Sequence, residues 1–204
     1  PFIRQAEKLL SVDDAKAFLS SHYQETPYDP IGAGSEADKK RFRPVSLATT
    51  QESHILQLRQ FNQPGLSGIH WLSMGLTAQS VYVPFYAGIT ETPAEYQRGL
   101  ETYSPDSAYW VFKQAGVLVD AHYDQFGDLL KQTQTELNQY LGRSVLQTDQ
   151  KAQHLNGIEL SALLTQESMA NAALALKKYR ELTAKLITQA TAFSPLSYKH
   201  DANL

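Results

Sequence analysis

The chain contains no cysteine among its 204 residues. Disulfide bonds, a thiolate nucleophile and cysteine-ligated metals are therefore excluded within this chain. A cysteine-free chain of ordinary composition fits a reducing compartment, so the predicted location is the cytoplasm. No cofactor and no metal site are predicted, because metal binding needs clustered histidines and carboxylates.

The chain also has only a small excess of acidic over basic side chains. The formal net charge is −3, and the longest basic run, residues 39–41 with Arg43, is short and lies beside Glu36 and Asp38. Nucleic-acid binding therefore has no electrostatic signature, and no nucleic-acid partner is predicted. No run of about 18 apolar residues occurs, so no membrane span is predicted. Residues 1–5 lack a charged segment followed by an apolar one, so no signal peptide is predicted.

Hydrophobic residues make up 42% of the chain and charged residues 19%, which is typical of a folded domain. The sequence changes character near residue 90. A helix is predicted at residues 12–23, with Ser11 as its N-cap. Short strands follow, and two long helical patterns begin near residues 105 and 157. The strands are predicted at 45–50, 53–59, 69–74 and 81–86, and the long helices at 105–142 and 157–192.

This order of elements predicts an α+β fold, with antiparallel strands followed by long helices. Residues 1–92 are assigned to the loop and sheet portion, and residues 93–204 to a helical portion that packs on the same core. His54 and His70 lie on neighbouring predicted strands and are expected to approach as a structural pair. Asp120 and its neighbours His122 and Asp124 are interpreted as a solvated helix face.

Polar and cationic side chains are set into the apolar strands between residues 41 and 86. A strand can hold an arginine rigidly and direct its planar guanidinium at a carboxylate. By physical chemistry alone, Arg43, His54 and Arg59 are better explained as satisfied surface or cross-strand residues.

Several separate motifs in this region occur in a specific order. An arginine–proline pair, Arg43 and Pro44, opens the region. The stretch Thr-Gln-Glu-Ser-His-Ile-Leu-Gln follows at residues 50–57, then a strand with Trp71, then Val-Pro-Phe-Tyr at residues 83–86. In this order the motifs resemble those of the dipeptidase A family, to which the secernins are related.

The resemblance implies an αββα sandwich of two stacked sheets, the fold of N-terminal-nucleophile hydrolases. It also implies a catalytic cysteine at the mature N-terminus, which this chain does not contain. The chain is therefore interpreted as the C-terminal portion of a cysteine dipeptidase, with the missing N-terminal portion and a dipeptide as its partners. The isolated chain is predicted to be inactive, and one face of its sheet is predicted to be under-covered.

Related amidases place an arginine near the thiol, at a position like the one that opens the first of these strands. The resemblance assigns this supporting catalytic role to Arg43. Arg41 is the alternative, because the Arg-Phe-Arg spacing permits a shift of two residues. Arg41 and His54 are assigned to substrate binding.

Two other hypotheses remain open from the sequence. The long helices after residue 105 are compatible with a non-catalytic interaction module that forms homo-oligomers. A third hypothesis is an unrelated small enzyme that uses the secondary amine of Pro1 as a general base.

Overall fold

The structure is a computed structural model that describes residues 5–193. Pro1, and with it the hypothesis of a proline base, lies outside this part. The described elements are two short helices, three strands and three longer helices. These are α1 Val12–Leu19, α2 Glu36–Lys39, β1 Glu52–Leu58, β2 Gly68–Met74, β3 Val83–Tyr86, α3 Ala108–Ala121, α4 Tyr123–Ala152 and α5 Gly157–Ala190.

The three strands form one antiparallel sheet in the order β1-β2-β3. The outer edge of β3 is covered by α5. The backbone N–H of Tyr86 donates to Ser168 Oγ at 3.3 Å, and that of Thr90 donates to Thr165 Oγ1 at 3.0 Å. Hydroxyls on the helix thus satisfy backbone groups that would otherwise be unpaired at the edge of the sheet.

The outer edge of β1 is open. In the register of β1 with β2, Gln51 faces Gly75 and Arg59 faces Ser67, and each pair is joined by a backbone hydrogen bond. Because hydrogen-bonded pairs alternate along an antiparallel ladder, the odd-numbered residues of β1 bond to β2. The N–H and C=O groups of the even-numbered residues, from Glu52 to Leu58, therefore point outward. Within residues 5–193 no strand pairs with them.

The two faces of the sheet are covered unequally. On one face Trp71 is buried beneath α1, and Lys16 Nζ lies 3.8 Å from the centre of its ring. On the other face, side chains near β3 are buried against the helices, but Leu56 and Leu58 of β1 are 68% and 89% exposed. The prediction of an under-covered face is therefore confirmed, and the uncovered area lies beside the open edge.

Several leucines of the long helices are buried in the core of this chain. Leu137 and Leu141 of α4 and Leu176 and Leu186 of α5 are each no more than 2% exposed. Tyr179 of α5 is also buried and donates a hydrogen bond to the carbonyl of Gln79 at 2.9 Å. These side chains are therefore not available to an oligomerisation surface.

The prediction of one helix at residues 105–142 is wrong in three respects. It begins at Ala108 with Ser107 as its N-cap, and it is interrupted at His122, where φ is −146° and ψ is 55°. It then continues through Gly142 to Ala152 as α4. The glycine does not end the helix because packing of α4 against α5 and the sheet stabilises both sides of it.

The strand predicted at residues 45–50 is also wrong. This segment forms bends and a turn, in which the N–H of Thr50 donates to the carbonyl of Leu47 at 2.9 Å. Its backbone is held instead by the N–H of Ser46, which donates to the carbonyl of Ser21 at 2.9 Å. The helix predicted at 12–23 is shorter than expected, because it ends at Leu19.

None of the described helices combines the length and the apolar character that crossing a lipid bilayer requires.

Candidate functional site

Arg41 and Arg43 lie in an exposed loop. The guanidinium carbon of Arg41 is 5.8 Å from the ring centre of Tyr28 and 5.3 Å from that of Phe42. The carbonyl of Arg43 accepts a hydrogen bond from the hydroxyl of Tyr23 at 3.2 Å. Among residues 5–193 neither guanidinium forms an ion pair, so both are available to a carboxylate from elsewhere.

Arg43 does not lie at the start of a strand, because residues 45–50 form no strand. The loop is fixed instead at Ser46, which is 4% exposed. Ser46 Oγ accepts hydrogen bonds from Thr77 Oγ1 at 2.7 Å and from the N–H of Ala78 at 2.9 Å. This anchor lies three residues after Arg43 and ties the loop to the connection between β2 and β3.

His54 lies on the uncovered face of the sheet, as part of a histidine pair. Its ring centre is 5.2 Å from that of His70, and its Nδ1 is 3.2 Å from both carboxylate oxygens of Glu52. Burial is the largest cause that lowers the pKa of His70, and repulsion from His54 is the next. The predicted approach of the two histidines is confirmed. Within the described part of the chain no group of three His, Asp or Glu residues is arranged to hold a metal ion.

A second histidine pairing was not predicted from the sequence. His22 Nδ1 lies 3.0 Å from Asp29 Oδ1, and Asp29 is 8% exposed. The same carboxylate oxygen accepts the N–H of Ile31 at 3.0 Å. The two prolines and two glycines of residues 26–35 indicate only a loop, and nothing in the spacing of His22 and Asp29 marks them as partners.

The backbone around this pair is unusual. Tyr23 and Glu25 both have φ of 64°, in the left-handed region that non-glycine residues seldom adopt. Further along, a Cβ on Gly34 would lie 1.9 Å from the carbonyl oxygen of Pro27, so only glycine fits there. Such local strain persists only where the surrounding structure imposes it, and it is concentrated at functional sites.

His22 lies between two cavities. The larger, about 770 Å³, extends from α1 to α4 and is bordered by Lys16 and Gln134. The smaller, about 290 Å³, lies between the loop of His22, the loop after Arg43 and the junction of α3 with α4. Its apolar wall consists of Pro30, Ile31, Pro44, Leu47, Ala48, Leu76 and Ala78, and its polar side chains are His22, Ser46, Gln79, Asp120 and Tyr123.

Asp120 was interpreted from the sequence as part of a solvated face. It does reach solvent, but its carboxylate also accepts a hydrogen bond from Gln79 Nε2 at the rim of the smaller cavity. Partial burial raises the pKa of Asp120, and the hydrogen bond from Gln79 and the charge of Lys113 oppose this rise. Asp120 and His22 thus share one cavity, whereas no hydrogen bond or ion pair within residues 5–193 joins His54 to either arginine.

Comparison with known proteins identifies several relatives. The sequence model of peptidase family C69 matches residues 1–136. A probable dipeptidase of Latilactobacillus sakei is 33% identical over 204 residues, which are 100% of this chain and 43% of that protein. Probable dipeptidase B of Lactococcus lactis is 34% identical over 199 residues, 97% of this chain and 42% of that protein. Dipeptidase A of Lactobacillus helveticus is 30% identical over a region of the same size.

The chain therefore spans less than half the length of these three relatives. The similarity extends over both the sheet and the long helices. Each of the three relatives is about twice as long as this chain of 204 residues.

Proposed function

This chain belongs to peptidase family C69, and on that premise we propose that the protein of which it is a part hydrolyses dipeptides. The family resemblance implies a cysteine thiolate as the nucleophile, and since these 204 residues contain no cysteine, we assign it to another portion of the protein. The cytoplasm is the proposed location, where thiols are kept reduced.

In this mechanism the thiolate attacks the carbonyl carbon of the peptide bond and forms a tetrahedral oxyanion. Hydrogen-bond donors stabilise the oxyanion. Its collapse breaks the C–N bond, and the leaving amine takes the proton that the thiol gave up to the α-amino or another assisting group. Water then hydrolyses the thioester and releases the first amino acid. This chain contributes a sheet, part of the substrate cleft and a helical cover.

The uncovered edge and face of β1 are the observation that best supports a second, catalytic portion. Leu56 and Leu58 expose large apolar side chains on the same strand whose outward backbone groups are unpaired. Such an edge in a lone domain is prone to aggregation, so a native protein is expected to cover it. Coverage by the preceding portion would bring a second sheet against this one, as an αββα sandwich requires.

We expect alkylation of the full-length protein with iodoacetamide to abolish dipeptide hydrolysis. Every alkylated cysteine must lie outside these 204 residues, because they contain none. The measurement is residual kcat/KM together with mass-spectrometric mapping of the modified thiol. Prior incubation with a competing dipeptide should slow the loss. Full activity after stoichiometric alkylation would show that the nucleophile is not a thiol.

We further propose that Arg43 supports catalysis in the full-length enzyme, through its guanidinium. In Arg43→Lys a point charge replaces a planar fork that can make two hydrogen bonds to one carboxylate. We expect kcat/KM to fall about ten- to a hundredfold, which is the usual cost of losing a hydrogen bond to a charged group.

Two matched variants complete this measurement. Arg41→Lys tests the alternative position two residues away, which the resemblance leaves open, and Lys178→Ala removes a charge from the distant helix α5. A loss confined to Arg41→Lys would transfer the role to that residue. Kinetics like those of the unmodified enzyme in both loop variants would leave the two arginines as surface residues.

A further inference from the structure

The polar wall of the smaller cavity presents hydrogen-bond acceptors. Asp29 Oδ1 lies 3.0 Å from His22 Nδ1. A carboxylate accepts, so the Nδ1 proton of His22 faces Asp29, and in the neutral form of the ring Nε2 keeps a lone pair. Within residues 5–193 Nε2 has no hydrogen-bond partner. The strained turn at Tyr23 and Glu25 and the buried Asp29 therefore hold the ring of His22 beside the cavity.

The second acceptor in this wall is the carboxylate of Asp120. Gln79 Nε2 donates to one of its oxygens, which leaves acceptor capacity on the other. The nearby cation Lys113 does not neutralise Asp120 by contact, because its Nζ donates to the carbonyl of Ala48 at 2.8 Å. The attraction of a bound ammonium would offset the energetic cost of the partial desolvation of Asp120.

Apart from the polar side chains of Ser46, Gln79 and Tyr123, the rest of the wall is apolar, and the cavity is small. Its volume of about 290 Å³ is at the lower end of the range for ligand sites, which suits a single amino-acid residue better than a longer peptide. Pro44 contributes to this wall and directly follows Arg43, so the cavity adjoins the loop on which the proposed catalytic arginine lies.

We propose that this cavity binds the amino-terminal residue of the dipeptide. Asp120 and His22 Nε2 accept hydrogen bonds from the free α-ammonium group, and the wall around Ile31 and Leu47 contacts the side chain. The cavity would thus select for a free amino terminus. This inference rests on the proposed function for the identity of the ligand, but its chemistry applies to any small molecule with an ammonium group beside an apolar one.

The decisive measurement is the preference of the full-length protein for alanyl-leucine over N-acetyl-alanyl-leucine. In Asp120→Asn the isosteric amide removes the charge, and we expect the ratio of the two kcat/KM values to fall about ten- to a hundredfold. The change should reside mainly in KM for alanyl-leucine. A merely structural loss would lower both substrates together and leave the ratio unchanged.

His22 is tested by His22→Asn, whose side-chain amide keeps a donor near the position of Nδ1 for Asp29 but lacks Nε2. We expect it to reduce the same ratio. Asp128→Asn is the matched control, because it removes an exposed carboxylate from α4 that forms no ion pair within the described residues. A ratio in the Asp120 and His22 variants equal to that of Asp128→Asn would overturn the proposal.

Binding separates this inference from the proposed function. Calorimetric titration of the full-length protein with leucinamide, and with N-acetylleucinamide as the blocked analogue, needs no catalysis. We expect only leucinamide to bind, and Asp120→Asn to weaken it about ten- to a hundredfold. If no dipeptide is hydrolysed but leucinamide binds in this way, the proposed function fails and the site stands. If dipeptides are hydrolysed but leucinamide binds equally to Asp120→Asn, the site fails and the function stands.

Discussion

The 204-residue chain alone is expected to hydrolyse no dipeptide, while the full-length protein hydrolyses a panel of them. The physical reason is that the proposed cysteine nucleophile is not among these residues, and among residues 5–193 no serine or threonine hydroxyl is hydrogen-bonded to the ring of His22. Enzymes accelerate reactions by about a millionfold or more, and loss of the attacking group removes most of that. The measurement is release of free amino acid over hours at high protein concentration.

The control is the folded state of the isolated chain, measured by far-ultraviolet circular dichroism. The helices α3, α4 and α5 should dominate that spectrum. A folded but inactive chain supports the assignment of the nucleophile to another portion. Turnover that persists through repurification and elutes with the chain would contradict it, and would require a nucleophile among the residues present.

The sequence predicted the elements whose pattern matches their final surroundings. Strands β2 and β3 were placed within two residues of their ends, because apolar runs bounded by Gly68, Gly75 and Ser80 have few other interpretations. The helix predicted at 157–192 corresponds to α5, which ends at Ala190. In each case the local pattern and the tertiary environment favour the same structure.

Where the predictions failed, tertiary contacts decided the structure. Val45 and its β-branched neighbours Thr49 and Thr50 favour a strand, but a strand needs a partner. Ser46 is instead hydrogen-bonded to Ser21 and to the connection between β2 and β3. The interruption at His122 has no glycine or proline to mark it. Such contacts between distant segments leave no periodic signal in the sequence.

The candidate site was predictable only in part. Pro44 and Leu47, which follow Arg43 in the motif, line the smaller cavity, whereas the catalytic role of Arg43 stays a prediction. The pairing of His22 with Asp29 was missed, because it depends on left-handed backbone at Tyr23 and Glu25. Tyrosine and glutamate do not indicate such a backbone in a sequence. The position of Asp120 at the cavity rim depends on where helix α3 ends, which was itself predicted wrongly.

The alternation of apolar and polar residues in β1 points to a surface that this chain does not cover by itself. Its even-numbered residues include His54, Leu56 and Leu58, which would form the apolar face of an ordinary strand. In the structure these are the exposed side chains, and Ser53 and Gln57 lie on the covered face. There the hydroxyl of Ser53 lies 2.9 Å from that of Tyr82, and Gln57 accepts the indole N–H of Trp71 at 2.9 Å. These exposed leucines are the basis for the proposal that a further layer of protein covers this face.

One ion pair ties this sheet to the helices. Arg59 Nη1 donates to Asp149 Oδ2 at 2.6 Å, and the other oxygen of Asp149 accepts the hydroxyl of Tyr86 at 2.9 Å. Arg59 Nη2 also donates to the carbonyl of Leu66 at 2.6 Å. The side chains of Arg59 and Asp149 are only 12% and 15% exposed, so solvent screens this pair weakly. It joins the segment after β1 to helix α4.

We expect Asp149→Ala to lower the free energy of unfolding by about 3–5 kcal/mol. The variant leaves the guanidinium of Arg59 largely buried without its counter-charge, and it also removes the acceptor of the Tyr86 hydroxyl. The measurement is urea denaturation of the 204-residue chain, followed by circular dichroism. Asp128→Ala is the matched control, an exposed aspartate on the same helix, and it should change stability by no more than about 0.5 kcal/mol.

A double replacement distinguishes two effects on the free energy of unfolding. One is the cost of leaving a buried charge unpaired, and the other is the contribution of the Arg59–Asp149 ion pair. In Arg59→Met combined with Asp149→Leu both charges are removed and apolar volume is retained, so no buried charge is left unpaired. Because desolvation offsets much of the attraction in a buried pair, we expect the double variant to be more stable than Asp149→Ala by at least about 1 kcal/mol. If instead the double variant were the less stable of the two, the pair itself would contribute more than its desolvation costs. The attachment of β1 to α4 would then depend on this ion pair rather than on the packing around it.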